Sequence, residues 1–203
     1  MKGLIVKDLK LLSKVGKAYL IFLAVLIVLA LFAQNMNFLS LYAVLFTSIL
    51  GPNTIAYDER DRWDKFALTL PVSKIQYVSA KYLLSFLLAL CAVLLAFVVS
   101  VVHDGFSVNT LVNVILYLTV GLFYPAISLP LSLGFGYAKS KLALVIFAGV
   151  TGGAGVIISR IESISAYIYS LNNYVFFAAF LAVAIIFALS WFIAIKLYQK
   201  REL

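Results

Sequence analysis

The sequence predicts an all-α integral membrane protein with six transmembrane helices, and three observations carry that prediction. First, 65% of the 203 residues are hydrophobic and only 12% are charged. A water-soluble domain of this size cannot cover so much apolar surface, so lipid has to be the solvent. Second, six apolar segments, at about residues 18–33, 38–56, 83–102, 109–134, 142–159 and 174–195, are long enough to span a bilayer. At about 1.5 Å of rise per residue, roughly 20 apolar residues match a hydrocarbon core about 30 Å thick. Third, fifteen of the sixteen Lys and Arg residues flank these segments on one side, and only Arg160 lies on the other. The positive-inside rule then predicts that both termini are cytoplasmic. Residues 1–203 read as a single membrane domain.

The net charge of +8 is a topology signal. The cations flank spans, where they meet anionic headgroups, so membrane lipid is an expected partner and nucleic acid is not. Cys91 is the only cysteine and no internal disulfide can form. Leu31, Phe32, Ala33 and Gln34 make a poor cleavage site, so the first apolar run is read as a retained span.

Residues before Ala18 predict an amphipathic helix at the membrane interface. Ile5, Leu9, Leu12 and Gly16 fall on one face at 3.6-residue spacing, with Lys7, Lys10, Lys14 and Lys17 opposite. A charged anchor of no fixed shape is the plainer alternative. Gly51, Pro52 and Asn53 fall near the cytoplasmic end of the second span.

The largest internal loop, residues 57–82, concentrates Asp58, Glu59, Arg60, Asp61, Arg62, Asp64 and Lys65 into eight positions. On a helix Trp63, Phe66, Ala67 and Leu70 make a stripe at i, i+3, i+4 and i+7, with Glu59 one turn earlier. An aromatic ridge in a charged surround suits docking into a groove of a partner, and Trp is a frequent anchor of such contacts. The same stripe also suits headgroups, which leaves a lipid-packed helix open. Pro71 stops this helix. Ser73 and Gln76 then supply a capping box, flanked by Val72 and Tyr77 as a hydrophobic staple, for a new helix entering the third span.

The fourth span carries Pro125 and Pro130, which a membrane tolerates only where neighbours satisfy the freed carbonyls. Candidate pathway residues are Asn53, Asn109, Asn113, Thr119, Ser128 and Ser132; interhelical hydrogen bonding is the other role open to them. In the fifth span Gly149 and Gly153 form a GxxxG pair suited to close helix packing. Ile161, Ile164, Ile168 and Leu171 predict a short external helix before the sixth span, capping a pathway or shielding helix ends.

The run Glu59…Trp63…Leu70-Pro71-Val72-Ser73…Lys81 resembles the first cytoplasmic loop of type-2 ATP-binding-cassette (ABC) exporter permeases, with Lys74 where many relatives have Arg. Within that family the chain is most similar to the small permeases of Gram-positive exporters for cytolytic peptides of the phenol-soluble modulin type. The resemblance implies a bacterial plasma-membrane permease that pairs with a second, identical or paralogous, chain to enclose the pathway. It implies two copies of a separate ATPase subunit, which binds ATP and magnesium, and a cytoplasmic coupling helix between spans two and three resting in each. It assigns Glu59, Trp63, Phe66, Leu70 and Pro71 to that contact, with Arg60 and Arg62 as salt links, and amphipathic cytolytic or antimicrobial peptides as substrate.

Two further readings agree. The sequence has no Walker A loop to cradle ATP phosphates, and no ionisable residue deep in a span to serve as a proton or ion relay. The single His103, beside Asp104, reads as a solvated loop pair, and no cluster has the spacing of metal ligands or of a catalytic site. The permease is therefore expected to need no cofactor and to catalyse no reaction itself. The competing reading is a non-transporting assembly or immunity factor whose 57–82 loop binds a cytoplasmic partner; a lipid-modifying enzyme is the least supported.

Overall fold

The structure, a computed structural model, describes residues 3–14, 36–67, 69, 71–142 and 173–201, with a few isolated positions between them. Among these residues the regular elements are all helices: α1 (residues 3–14), α2 (Met36–Arg60), α3 (Trp63–Ala67), α4 (Lys74–Asp104), α5 (Val108–Phe135) and α6 (Asn173–Lys200). Residues 137–142 are helical again after a break at Gly136.

Four of these helices are long and apolar enough to cross a membrane, over Leu39–Arg60, Lys74–His103, Val108–Phe135 and Tyr174–Lys200. They coincide with the second, third, fourth and sixth predicted spans. The first and fifth predicted spans, the GxxxG pair with Gly153, and the external helix with Arg160 fall almost wholly outside the described residues. α6 exposes Phe177, Leu181, Ile185, Leu189 and Phe192 along its length, an apolar surface far too continuous for water and ordinary in lipid.

Local code explains the breaks. Ser73 caps α4: its Oγ accepts from the Gln76 amide while the Gln76 side chain accepts from the Ser73 amide, each at 3.2 Å, the predicted capping box. α4 begins at Lys74, two turns earlier than the apolar run at residue 83, so its first turns extend beyond the apolar stretch. At the end of α5, Gly136 has φ of 92°. That left-handed conformation is open to glycine without a Cβ penalty, and it lets the chain stop one helix and start another.

α5 packs most extensively on α6, and α2 on α4. The α2–α4 contact is close enough that a Cβ on Gly51 would stand 2.0 Å from Ser85 Oγ. Pro130 removes the amide that would have bonded the Ala126 carbonyl, and Ser190 Oγ of α6 donates to that carbonyl instead. Ser190 in turn accepts from Tyr82 Oη of α4 at 2.6 Å. The neighbour predicted to satisfy a proline-freed carbonyl is therefore the last helix, and one hydroxyl ties three helices together. Tyr82 also stacks on Trp191, ring centroids 5.8 Å apart, inside an apolar core drawn mostly from α4, α5 and α6.

Candidate functional site

The described ion pairs concentrate at one end of the bundle, where α1, α3 and the charged ends of α2, α4 and α6 meet. Four charges from three helices come together there. Lys81 of α4 places its Nζ 2.8 Å from Asp8 Oδ2 of α1 and 2.6 Å from Asp58 Oδ2 of α2. It also donates to Thr54 Oγ1 at 3.1 Å. Lys7 of α1 pairs with the other oxygen of Asp58. Its Nζ lies 2.9 Å from Asp8 Oδ1, near enough for an ion pair though off the line of a hydrogen bond. Tyr77 Oη donates to Asp58 Oδ2 at 2.8 Å, and its ring stacks on Tyr198 of α6. Asp8, Asp58 and Lys81 are at most 2% exposed. Two cations and two carboxylates cancel, which is the condition on which such charges can be buried at all.

On α1 the residues turned to the bundle are Leu4 and Asp8, and Leu9, on the apolar face set by the periodicity, is 47% exposed, as a face turned to lipid is. The ion pairs fix which side of the helix meets the bundle.

A second junction lies across the same end. Glu59 Oε1 accepts from both terminal nitrogens of Arg201 at 3.2 Å, and Glu59 Oε2 accepts from the Tyr137 amide at 2.9 Å. The carboxylate thus meets the first free amide of the 137–142 helix, where the helix dipole favours an anion. Arg201 also donates to the Leu133 carbonyl. Lys74 reaches the carbonyls of Gln199 and Arg201, at 3.3 and 3.1 Å, and so caps the end of α6. Both sides of the loop that carries α3 are therefore gripped by the terminal segments of the chain.

α3 itself is one turn and a half. The helix of α2 is interrupted at Asp61 and Arg62, and Arg62 adopts φ of 52°. That break changes the helical phase, so Glu59 does not continue the Trp63 stripe as the spacing predicted; it belongs to α2 and turns to Arg201. Within α3 the stripe also divides. Ala67 is buried, Trp63 is half-buried against the core, and Phe66 is 53% exposed. Lys7 Nζ sits 4.8 Å from the centre of the Trp63 ring, a cation–π contact. Arg60 and Arg62 are exposed, and Arg60 pairs only with its neighbour Asp61 among the ion pairs of the described residues. Pro71 is exposed in the non-helical turn before α4, and Leu70 lies outside the described residues.

A family model described as ABC-2 family transporter protein matches residues 3–199, which takes in the four-charge cluster and nearly all of the described helical residues. The chain belongs to the ABC-2 transporter family. No curated protein and no solved structure matches it. Membership makes this ABC-2 transporter chain a multi-pass membrane permease component of an ABC exporter, associated with an ATPase subunit, and in that family the membrane component is generally non-catalytic.

In this ABC-2 transporter chain the polar residues predicted for a pathway are scattered. Asn53 accepts from Tyr137 Oη at 2.6 Å, beside the Glu59 junction. Ser128 and Ser132 are buried on the side of α5 turned into the bundle, and Ser132 donates back to the Ser128 carbonyl at 2.7 Å. Thr119 likewise bonds the Ile115 carbonyl at 2.8 Å. Asn109 is exposed and Asn113 half-buried near the start of α5. The structure does not gather these six into one site.

The four-charge cluster escaped the sequence reading. In the sequence Lys7 and Lys81 read as topology charges and Asp58 as loop polarity. One signal was available: Asp8 is the only acid in an N-terminal arm holding five lysines, and an isolated acid in a basic, otherwise apolar helix asks for a partner.

Proposed function

We propose that the chain is the transmembrane permease of an ATP-driven exporter in the bacterial plasma membrane, with six spans, both termini cytoplasmic, and α3 as the coupling helix that rests on a separate ATPase. The single observation that supports α3 in this role is its setting: a short helix offering Phe66 outward beside exposed Arg60 and Arg62, while both flanks of its loop are anchored to the chain's own helices. Such a segment can receive a push and cannot absorb it by flexing alone.

In this reading Phe66, Arg60, Arg62, Leu70 and Pro71 meet the ATPase, and Glu59 and Trp63 hold the ridge in position from behind. Two permease chains, identical or paralogous, enclose the pathway, and two ATPase subunits bind ATP and magnesium. Binding and hydrolysis there swing the permeases between states. Amphipathic cytolytic or antimicrobial peptides are the proposed cargo, because the described helices offer many apolar surfaces and few polar groups.

The test is capture. Tagged chain solubilised from its native membrane should bring down an ABC ATPase. Phe66→Asp should cut that capture at least tenfold while the chain remains folded. Recovery of folded chain without any ATPase, or with a non-ATPase partner, would overturn the exporter reading. In proteoliposomes of the complex, amphipathic peptides should stimulate ATP hydrolysis; stimulation by lipids alone would reject the peptide cargo.

A further inference from the structure

We propose that Lys81, Asp8, Asp58 and Lys7 are positioning residues that make α1 travel with the coupling segment, so that an impulse delivered at α3 reaches the N-terminal helix as rigid-body motion. The proposal rests on the reading that an ATPase pushes α3. It names the route by which that push spreads.

The route is continuous in the structure. Trp63 opens α3 and is capped by Lys7, whose Nζ lies 4.8 Å from the ring centre. Lys7 pairs with Asp58, in the last turn of α2 before the break at Arg62. Asp58 meets Lys81 at 2.6 Å, and Lys81 meets Asp8 at 2.8 Å, back on α1. The path closes on itself, through three helices and α3. Each carboxylate is shared by two lysines and each lysine by two carboxylates. Sliding one element would break at least two ion pairs in a site that water barely reaches, where an unpaired charge is strongly penalised. α1 adds apolar contacts through Leu4 and Ile5, but the charges alone are directional. Apolar contact can slip by a fraction of a turn, whereas a neutral four-charge ring holds one register.

The experiment uses the complete transporter complex with Cys91→Ser and spin labels on cysteines introduced at exposed positions: Ser13 on α1, Thr69 just after α3, and Leu111 near the start of α5. Labelled chain is diluted with unlabelled chain so that distances within one chain dominate. Pairs are measured without nucleotide and after trapping with ATP, magnesium and vanadate. The expected result is that the 69–111 and 13–111 distances shift together while 13–69 stays constant. In Lys7→Met with Asp8→Asn, which removes both charges of α1 from the cluster and leaves Asp58 paired with Lys81, 69–111 should still shift and the 13–111 shift should be lost.

A 13–69 distance that changes on trapping overturns the proposal alone, as does a double variant that keeps the 13–111 shift. A 69–111 distance that never changes overturns the ATPase-driven reading, and this proposal with it. The unaltered four-charge cluster supplies the first of these measurements, so the proposal stays testable if the double variant fails to fold.

Discussion

The two charged junctions at the same end of the bundle use similar chemistry in different solvents. In one, Lys81, Asp8 and Asp58 are almost fully buried and Lys7 closes the set. In the other, Glu59 and Arg201 keep about a quarter of their side-chain surface in contact with solvent. The buried set is neutral, and every charge in it has more than one partner. In the partly exposed pair two guanidinium nitrogens share one carboxylate oxygen, and water can replace what it loses. Burial, more than ion-pair distance, therefore decides which junction the fold depends on. Breaking a buried pair by removing one partner costs roughly 3–5 kcal/mol, against about 0–1 kcal/mol for an exposed one.

The largest expected effect tests that difference directly. Lys81→Met leaves two buried carboxylates to Lys7 alone and should cost roughly 3–5 kcal/mol, seen as a large drop in the thermal unfolding temperature of the detergent-solubilised chain. Asp8→Asn added to Lys81→Met removes a carboxylate as well and should recover most of that loss. Double-variant stability no better than the single variant's would mean that packing, and not charge balance, holds the cluster.

A neutral bond gives an intermediate scale. Ser190→Ala strands the Ala126 carbonyl freed by Pro130 and should cost about 1–3 kcal/mol, by the same unfolding measurement. Arg201→Gln should cost no more than about 1 kcal/mol, and the difference from the parent chain should shrink as salt is raised. If Arg201→Gln proves as damaging as Lys81→Met, the comparison between the junctions is broken. The smallest effect is expected at the corner before α3. Arg62→Gly relieves a left-handed conformation but loosens the unfolded chain, for a net change within about 1 kcal/mol in either direction. A loss well beyond that would show that the Arg62 side chain has a structural partner.

Much of this architecture was legible because its code is local. The capping box at Ser73 and Gln76 and the membrane-length runs of α2, α4, α5 and α6 follow from residues within one or two turns of each other. The demand created by Pro130 was also legible, since a proline always frees one carbonyl. Its answer was not, because Ser190 lies 64 residues from Ala126. The ridge at Trp63 and Phe66 was read as one stripe. A single backbone reversal at Arg62 detached Glu59 from it, and packing turned Ala67 inward and left Phe66 outside. Helical periodicity assigns residues to faces; it does not say which face meets a neighbour.

From the sequence alone came the helical class, the sidedness of its charge and the capped start of α4, because solvent transfer and backbone geometry act on each segment by itself. Only the tertiary structure decided which charges are buried and with whom. Lys81 stands 73 residues from Asp8, and such a pair forms only when the packing of α1 and α2 on α4 brings opposite charges together in a place that excludes water. Before that packing exists, every one of these lysines is equally well solvated, and nothing in its neighbourhood marks it apart.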